Sequence, residues 1–102
     1  MSAGGKLGFV TFEWDARKAA ANLKKHRVSF EEAATVFHDP LALTFTDPDH
    51  SSDEHREITI GCTLKGRVVF VSHCEVAGCL RVISARRATR SERKQYEEGI
   101  YN

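Results

Sequence analysis

The sequence has no hydrophobic run long enough to cross a membrane. None of its 102 residues belongs to a segment that approaches the roughly 18–20 consecutive apolar residues of a spanning helix. Residues 1–8 also lack the apolar core of a secretory signal peptide. We therefore expect a protein that does not associate with membranes and that resides in the cytoplasm.

Cysteine is scarce, and its number does not fit a set of paired disulfides. Cys62, Cys74 and Cys79 are the only three cysteines, and all of them fall in strand-like runs. Because there is no Cys-x-x-Cys pair beside suitably spaced histidines, we expect buried thiols rather than metal ligands. His50 and His55 lack a third ligand at a defined spacing, so the sequence predicts neither a metal site nor another cofactor.

Internal repeats, linkers and low-complexity tracts are also missing. The length of the chain suits one domain with a single hydrophobic core. Residues 1–8 are predicted to be a flexible leader, because they have no apolar pattern. The single domain is therefore expected to span residues 9–102.

Hydrophobic spacing predicts a strand and two helices at the start of this domain. Residues 9–14 alternate in the manner of a short strand, and Asp15 suits the N-cap of a first helix that ends near His26. Residues 29–32 have the pattern of a capping box for a second helix, which Pro40 terminates. The two helices are expected to form a short helical hairpin.

Strand patterns dominate the rest of the chain. Further strands are predicted over residues 41–45, 57–64, 67–74 and 80–85. Gly66 and Gly78 supply the turns that join the last three strands as a meander. A second capping box over residues 89–92 begins a final helix. This order of elements predicts an α+β fold with an antiparallel sheet.

Charge is segregated along the chain, although the net charge is only +1. Residues 58–94 hold eight Lys/Arg against two acidic residues, whereas residues 28–57 hold eight Asp/Glu against one arginine. The cations concentrate where the last strand meets the last helix, at Arg81, Arg86, Arg87, Arg90, Arg93 and Lys94. A cationic surface of this kind is typical of binding to a polyanion, and RNA is the polyanion we favour. The alternative is a solvated helix face with ordinary charges.

Lys, His, Glu and Arg without metal-ligand spacing suit the cleavage of RNA through its own 2′-hydroxyl. The reaction needs a base for the hydroxyl proton, cations for the crowded phosphate and an acid for the departing oxygen. Arg86, beside the start of a helix, is our first choice for the phosphate contact. The alternative is that Arg86 or Arg81 forms an ion pair with Glu54, Glu57 or Glu75 on a neighbouring strand.

The faces of the last strand follow from its two-residue period. That period places Val82, Ser84 and Arg86 on one face, and Arg81 and Ala85 on the other. Each face combines an apolar contact with an arginine. The sequence alone therefore leaves open which arginine points toward the open side of the sheet.

The segment from residue 47 to residue 56 is the most reactive-looking loop. His50 titrates near neutral pH and suits either proton-transfer role. Glu54 is an alternative base, and Arg56 would steady the phosphate. Asp49 and Ser51 are also common turn-capping residues, so a purely structural loop remains the alternative.

The chain contains several spaced motifs. They are Phe12-Glu13-Trp14-Asp15, Asn22-x-x-Lys25-His26-x-Val28-Ser29-Phe30, Phe37-x-Asp39-Pro40, Asp47-x-x-His50-Ser51-x-x-Glu54-x-Arg56 and Ile83-Ser84-Ala85-Arg86-x-Ala88-Thr89-x-x-Glu92-Arg93. Together these motifs resemble those of the BrnT family. The resemblance extends from residue 12 to about residue 97. It implies a RelE-like ribonuclease fold and the toxin half of a type II toxin–antitoxin pair.

The resemblance also implies partners and site residues. The partners would be an RNA substrate, a BrnA-like ribbon-helix-helix antitoxin and, through that antitoxin, promoter DNA. The family's polar motif positions assign catalysis to Lys25, His50, Glu54, Arg56, Arg81 and Arg86. Further RNA contacts are expected from Arg67, Arg87, Arg90, Arg93 and Lys94. Which residue is the base and which is the acid stays open.

Three functions compete at this point. The first is a metal-independent endoribonuclease that inhibits translation. The second is a non-catalytic binding module, including a decayed toxin that acts only as a corepressor with its antitoxin. The third is a metal-dependent hydrolase, which is the weakest because the sequence has no metal-ligand spacing.

Overall fold

The computed structural model describes residues 2–48 and 55–99, which form a six-stranded sheet and its helices. The elements in chain order are β1 (Ser2–Leu7), β2 (Val10–Asp15), α1 (Ala16–His26), α2 (Phe30–Ala34), the 3₁₀ helix η1 (Thr35–His38), β3 (Leu43–Thr46), β4 (Glu57–Cys62), β5 (Val68–Val76), β6 (Cys79–Arg87) and α3 (Arg90–Glu98). This is the α+β class that the sequence predicts. None of the helices in these ranges is long and apolar enough to cross a membrane.

The sheet is mostly antiparallel, and its order is β1-β2-β6-β5-β4-β3. The predicted meander is confirmed, because β4, β5 and β6 pair in sequence with turns at Gly66 and Gly78. The prediction of a wholly antiparallel sheet is wrong at one place. β2 pairs with β6 in parallel, with Glu13 opposite Arg81. No hairpin joins these two strands, so no local turn fixes their relative direction.

Residues 2–7, predicted to be part of a flexible leader, instead form β1. The strand pairs with β2 along its whole length, from Ser2 opposite Asp15 to Leu7 opposite Val10. Gly4 permits the close approach of the two backbones, because a β-carbon there would overlap the carbonyl oxygen of Phe12. Sequence periodicity missed the strand because β1 is held by backbone hydrogen bonds rather than by an apolar face.

The main core lies between one face of the sheet and the first two helices, and we call this the α1 face. Its buried side chains are Phe12, Trp14, Val28, Phe30, Ala33, Ala34, Val36, Val69, Val71, Val82 and Ala85. Trp14 packs edge-on against Phe30 with ring centroids 6.0 Å apart. The buried amide of Asn22 bonds to the carbonyl oxygen of Ala85 at 2.8 Å and so fixes α1 on β6.

Helix caps agree in part with the predicted ones. Asp15 caps α1 by accepting hydrogen bonds from two backbone amides, and Thr89 and Glu92 form the full capping box of α3. At α2, Ser29 accepts the amide of Glu32, but the Glu32 carboxylate bonds to Arg67 and Thr63 instead of returning to the cap. The second half of that predicted capping box is therefore wrong, because partners from the turn between β4 and β5 take the carboxylate.

The final helix lies against the opposite face of the sheet, which we call the α3 face. α3 has no buried residue and is held by polar contacts. One of these is the hydrogen bond that the Tyr96 hydroxyl donates to Asp39 Oδ2 at 2.6 Å. Burial and this carboxylate raise the pKa of Tyr96 to about 12, so the hydroxyl keeps its proton at neutral pH.

Candidate active site

A β-bulge decides which side chains of β6 share a face. Ser72 of β5 lies opposite Ser84, but the next residue of β5 lies opposite Val82, so Ile83 is extra. Val82 and Ala85 consequently both enter the core on the α1 face, where they are 2% and 1% exposed. The uninterrupted period of two that the sequence predicts is therefore wrong for β6.

The bulge brings Arg81 and Arg86 to the same α3 face. Arg81 bonds to Glu13, which alternates with the core residues of β2 and so points away from the α1 face. Arg86 lies opposite Phe70, and its guanidinium carbon is 4.0 Å from the centroid of that ring. The open question of which arginine faces this side is answered by the bulge, because both do.

The α3 face contains a groove of about 450 Å³. Its lining residues are Phe45, Asp47, Pro48, Arg56, Ile58, Ile60, Phe70, Ser72, Ser84, Glu92 and Gln95. Apolar strand residues form the floor, and the polar side chains come from the strand ends and from α3. Glu92 and Gln95 lie three residues apart on one side of α3 and form a wall of the groove.

A bidentate contact at the groove joins Arg86 to Glu92. Two parallel hydrogen bonds link them, Nη1 to Oε1 at 2.8 Å and Nη2 to Oε2 at 2.9 Å. Glu92 Oε1 also accepts the backbone amide of Thr89 at 2.8 Å. With Phe70 beneath the guanidinium, these bonds hold Arg86 in one orientation.

The same contacts fix the charge of both groups. Burial alone would raise the pKa of Glu92, but hydrogen bonds from Arg86 and Thr89 outweigh burial and lower it below its usual range. The Glu92 carboxylate in turn raises the pKa of Arg86. The two groups are therefore a true ion pair at neutral pH, and Glu92 cancels part of the positive charge of the groove.

Arg81 is also paired with a carboxylate. Its Nη2 atom lies 2.9 Å from Glu13 Oε2, and the two side chains are 47% and 25% exposed. The hydrogen bond with Glu13 raises the pKa of Arg81. Ion pairing of the two arginines was the predicted alternative, but the expected partners Glu57 and Glu75 were wrong, and Glu54 lies outside the described residues. The observed partners are supplied by the parallel register of β2 and by the first turn of α3.

Arg56 lies in the groove at one end of the reactive-looking loop. Pro48 lines the groove before residues 49–54, and Arg56 lines it after them. The amide of Asp47 bonds to the carbonyl oxygen of Arg56 at 2.9 Å, which closes the loop at the groove. The predicted catalytic residues His50 and Glu54 lie outside the described residues.

Two predicted site residues lie away from the groove. Lys25 is exposed in the last turn of α1, across the sheet from the α3 face. Arg67 makes a salt bridge to Glu32, and its Nη2 atom donates to the carbonyl oxygen of Arg27 at 3.0 Å. The Arg67 hydrogen bond lowers the pKa of the buried Glu32. The structure thus gives Arg67 a role in holding α2 to the sheet.

The other predicted RNA-binding residues surround the junction of β6 and α3 without lining the groove. Arg87 and Arg93 border a separate cavity of about 150 Å³. Arg93 Nε is also 3.7 Å from Glu97 Oε2. Arg90 and Lys94 are exposed on α3. These cations form a basic rim beside the groove.

Sequence reasoning missed Glu92, Gln95, Ser72 and Ser84 as groove residues. Glu92 was interpreted only as half of a capping box, which is correct but incomplete. The sequence gives only a weak indication of its contact with Arg86, namely that this arginine lies six residues earlier, just before the helix begins. Ser72 is the polar residue of an otherwise apolar face of β5, whereas Ser84 shares its face with Arg86, and their direct pairing needs the bulge to be known.

The cysteines and His73 belong to the strands of the sheet. Within the described residues, Cys62, Cys74 and Cys79 form no disulfide; Cys74 is buried as expected, whereas Cys62 and Cys79 are only half-buried. His73 is buried, packs edge-on against Phe37 and has its pKa lowered to about 4 by burial. Within residues 2–48 and 55–99, no group of three or more His, Cys, Asp or Glu is placed to hold a metal ion.

The fold and the groove define a small α+β protein with arginines on one sheet face, in a setting that suits a phosphodiester ligand. The family described as ribonuclease toxin, BrnT, of type II toxin–antitoxin systems matches residues 14–92. The chain belongs to this BrnT family. The resemblance found in the sequence is thereby confirmed.

A solved structure supports the same family. The chain is similar to the crystal structure of the Brucella abortus ribonuclease toxin BrnT, with 27% sequence identity and a TM-score of 0.58. The match covers 76% of this chain and 94% of that chain. No curated protein matches the chain.

Proposed function

We propose that this toxin cleaves RNA in the groove of the α3 face by attack of the substrate's own 2′-hydroxyl, without a metal ion. The observation that carries the proposal is that Arg56 lines the groove and that Arg86 contacts two of its lining residues, Phe70 and Glu92. The hydrogen bond between Asp47 and Arg56 joins, at this groove, the two ends of the segment that contains His50 and Glu54. Family membership supplies the reaction class. The RelE-like fold and the cytoplasmic location belong to the same proposal.

Arg86 retains donors for a phosphate despite its ion pair. An arginine has five N–H donors. Two of them bond to Glu92, and a third reaches the carbonyl oxygen of Arg87 at 3.3 Å. The remaining donors can meet a phosphate oxygen while Glu92 keeps the plane of the guanidinium fixed. Such preorganisation favours a charged transition state.

The proton transfers are assigned to His50 and Glu54. Glu92 is a poor base because its carboxylate already accepts three hydrogen bonds and its pKa is lowered. Arg56, at the end of the same loop, would share the phosphate with Arg86. Arg81 lies on the same face and, with the basic rim of Arg87, Arg90, Arg93 and Lys94, would attract the rest of the strand.

Cleavage chemistry gives the test of this proposal. Purified protein incubated with RNA in EDTA should produce fragments with 2′,3′-cyclic phosphate or 3′-phosphate ends. A single 2′-deoxy substitution at the cleaved nucleotide should block the cut, since it removes the attacking hydroxyl. Intact RNA in EDTA with activity restored by a divalent metal would overturn the metal-independent mechanism.

The same proposal includes the partner and its DNA. A small ribbon-helix-helix antitoxin would bind the toxin, suppress cleavage and direct the complex to promoter DNA. Co-expression should yield a stable complex that shifts promoter DNA, whereas the toxin alone should not shift it at the same concentration. A partner of another fold would contradict this part only.

Ion pairing at both arginines favours a second candidate function. Because Glu13 and Glu92 neutralise Arg81 and Arg86, the chain would serve as a non-catalytic corepressor. In that case a triple variant His50→Ala, Glu54→Gln and Arg86→Ala would keep every biological effect. Loss of growth inhibition with retained promoter repression would reject this candidate.

A further inference from the structure

Helix α1 carries four cations and no acidic residue. They are Arg17, Lys18, Lys24 and Lys25, and all four are exposed. None of them forms a salt bridge within residues 2–48 and 55–99. A solvated helix usually mixes signs at a spacing of three or four residues. The absence of any acid from this helix therefore sets it apart from an ordinary surface helix.

The cations of α1 occupy one side of the helix. At about 100° per residue, all four project within an arc of about 120° that has Ala21 near its centre. Ala21 is exposed and small, so no large side chain stands between the cations. The cations seven residues apart are separated by about 10.5 Å along the axis. A phosphate backbone can approach such a surface closely.

This basic side is connected to the groove around the end of β6. Arg87 follows Arg86 but lies opposite Val69, a core residue of the α1 face, so its side chain points away from the groove. Asn22 ties α1 to Ala85, two residues before Arg87. A strand leaving the groove at Arg86 would therefore pass Arg87 before it reached the cations of α1.

We infer that the exposed side of α1 is a second phosphate-binding surface, which holds the RNA strand outside the site of cleavage. The inference rests on the proposed function for the identity of the polyanion. Lysines act here as point charges on phosphates, without reading bases. Lys25 then contributes to RNA binding at a distance from the groove rather than to proton transfer.

The test uses the end of α1 that has no carboxylate. Asp15 accepts hydrogen bonds from the amides of Arg17 and Lys18 at the start of the helix, so its charge offsets that end. The informative variant is therefore Lys24→Gln with Lys25→Gln. A matched control, Lys6→Gln with Lys65→Gln, removes two exposed lysines from β1 and from the turn between β4 and β5.

Binding is measured with 2′-O-methyl RNA, which lacks the attacking hydroxyl and cannot be cut by this mechanism. One probe of about 4 nucleotides fills only the groove, and another of about 20 nucleotides can reach α1. The Lys24 and Lys25 variant should bind the long probe roughly tenfold more weakly, with a log–log salt slope smaller by about 1.4. It should bind the short probe like the unmodified protein.

The binding measurements test the second phosphate-binding surface independently of the proposed cleavage. A length-dependent loss supports the surface even if the protein cuts no RNA. Long-probe affinity and salt slope equal to those of the control variant would overturn it even if cleavage is confirmed. Normal RNA binding combined with lost antitoxin binding would also overturn it, because α1 would then be a protein-docking helix.

Discussion

At the scale of single residues, the carboxylate of Glu92 has three functions. It caps α3 through the amide of Thr89, neutralises Arg86 and fixes the plane of that guanidinium over Phe70. Replacing Glu92 by glutamine keeps the size and shape of the side chain. It removes the negative charge that strengthens the contacts with Arg86 and with the Thr89 amide.

We expect Glu92→Gln to lower the free energy of unfolding by about 2 kcal/mol at neutral pH, because it weakens a cap and a partly buried pair. The folded pKa of Glu92 is lowered, so its contribution is complete above the usual glutamate pKa and is lost as pH falls through the folded value. Urea unfolding at neutral and acidic pH measures both effects. Glu97→Gln, at an exposed pair, is the control and should change little.

His73 provides a second dependence on pH, of a different origin. Burial lowers its pKa to about 4 in the folded state, against an ordinary value of 6.5. The unfolded chain therefore binds more protons between these values, and stability falls as pH drops below about 6.5. The full loss at pH 4 is on the order of 3 kcal/mol.

The His73 prediction is checked by urea unfolding between pH 7 and pH 4. His73→Gln should flatten the dependence of stability on pH, whatever its effect at pH 7. Equal slopes for the unmodified protein and His73→Gln would contradict this account.

Residue types predicted local contacts well and distant contacts poorly. Asp15 and the box of Thr89 with Glu92 follow from rules that act within four residues. The partner of Glu32 is Arg67, which is 35 residues away in sequence, so no local rule could find it. The same limit explains why the carboxylate opposite Arg81 was wrongly expected in the central part of the chain.

At the scale of elements, β6 shows how one extra residue changes a site. Alternation in the sequence predicted Arg81 and Arg86 on opposite faces, whereas the bulge at Ile83 places both on the α3 face. A bulge arises from pairing with β5 and leaves no clear mark in the residues of β6 itself. The candidate residues were therefore recognisable, but their common direction was not.

The extra strand β1 yields a prediction at the same scale. β1 precedes the matched family range of residues 14–92, and Leu7 is its only side chain that packs against the core. A chain that begins at Phe9 should lose about 1–2 kcal/mol of unfolding free energy, because one partly buried leucine and the edge pairing are removed. Cleavage of RNA should continue, since no β1 residue lines the groove.

The truncation experiment compares urea midpoints and initial cleavage rates. A lower midpoint with an unchanged rate agrees with an edge strand that only supports the sheet. A rate that falls while the protein remains folded would show that β1 takes part in RNA binding. The substitution Leu7→Ala separates side-chain packing from the backbone pairing.

At the scale of the whole molecule, the positions of the charged residues are more informative than the net charge. A net charge of +1 conceals an arginine groove on one side of the sheet and the cations of α1 on the other, with the basic rim between them at the junction of β6 and α3. The sequence predicted the segregation, the helices and the meander of β4, β5 and β6. It missed the parallel pairing of β2 with β6, because that contact joins strands more than 60 residues apart.

The proposed cleavage depends most on Arg86, which should hold the phosphate as charge develops. In single-turnover reactions in EDTA, Arg86→Ala should reduce the cleavage rate by about 10²–10³-fold, as expected for loss of a preorganised donor. Arg86→Lys should restore only part of the rate, because lysine lacks the planar fork. Lys6→Gln is the control, and circular dichroism confirms that each variant is folded.

The rate of Arg86→Ala, measured beside that control, is the most direct test of the whole account. A folded variant that has lost at least about a hundredfold in rate agrees with the proposed role of the guanidinium. A folded Arg86→Ala protein that cuts RNA as fast as the Lys6→Gln control would contradict it.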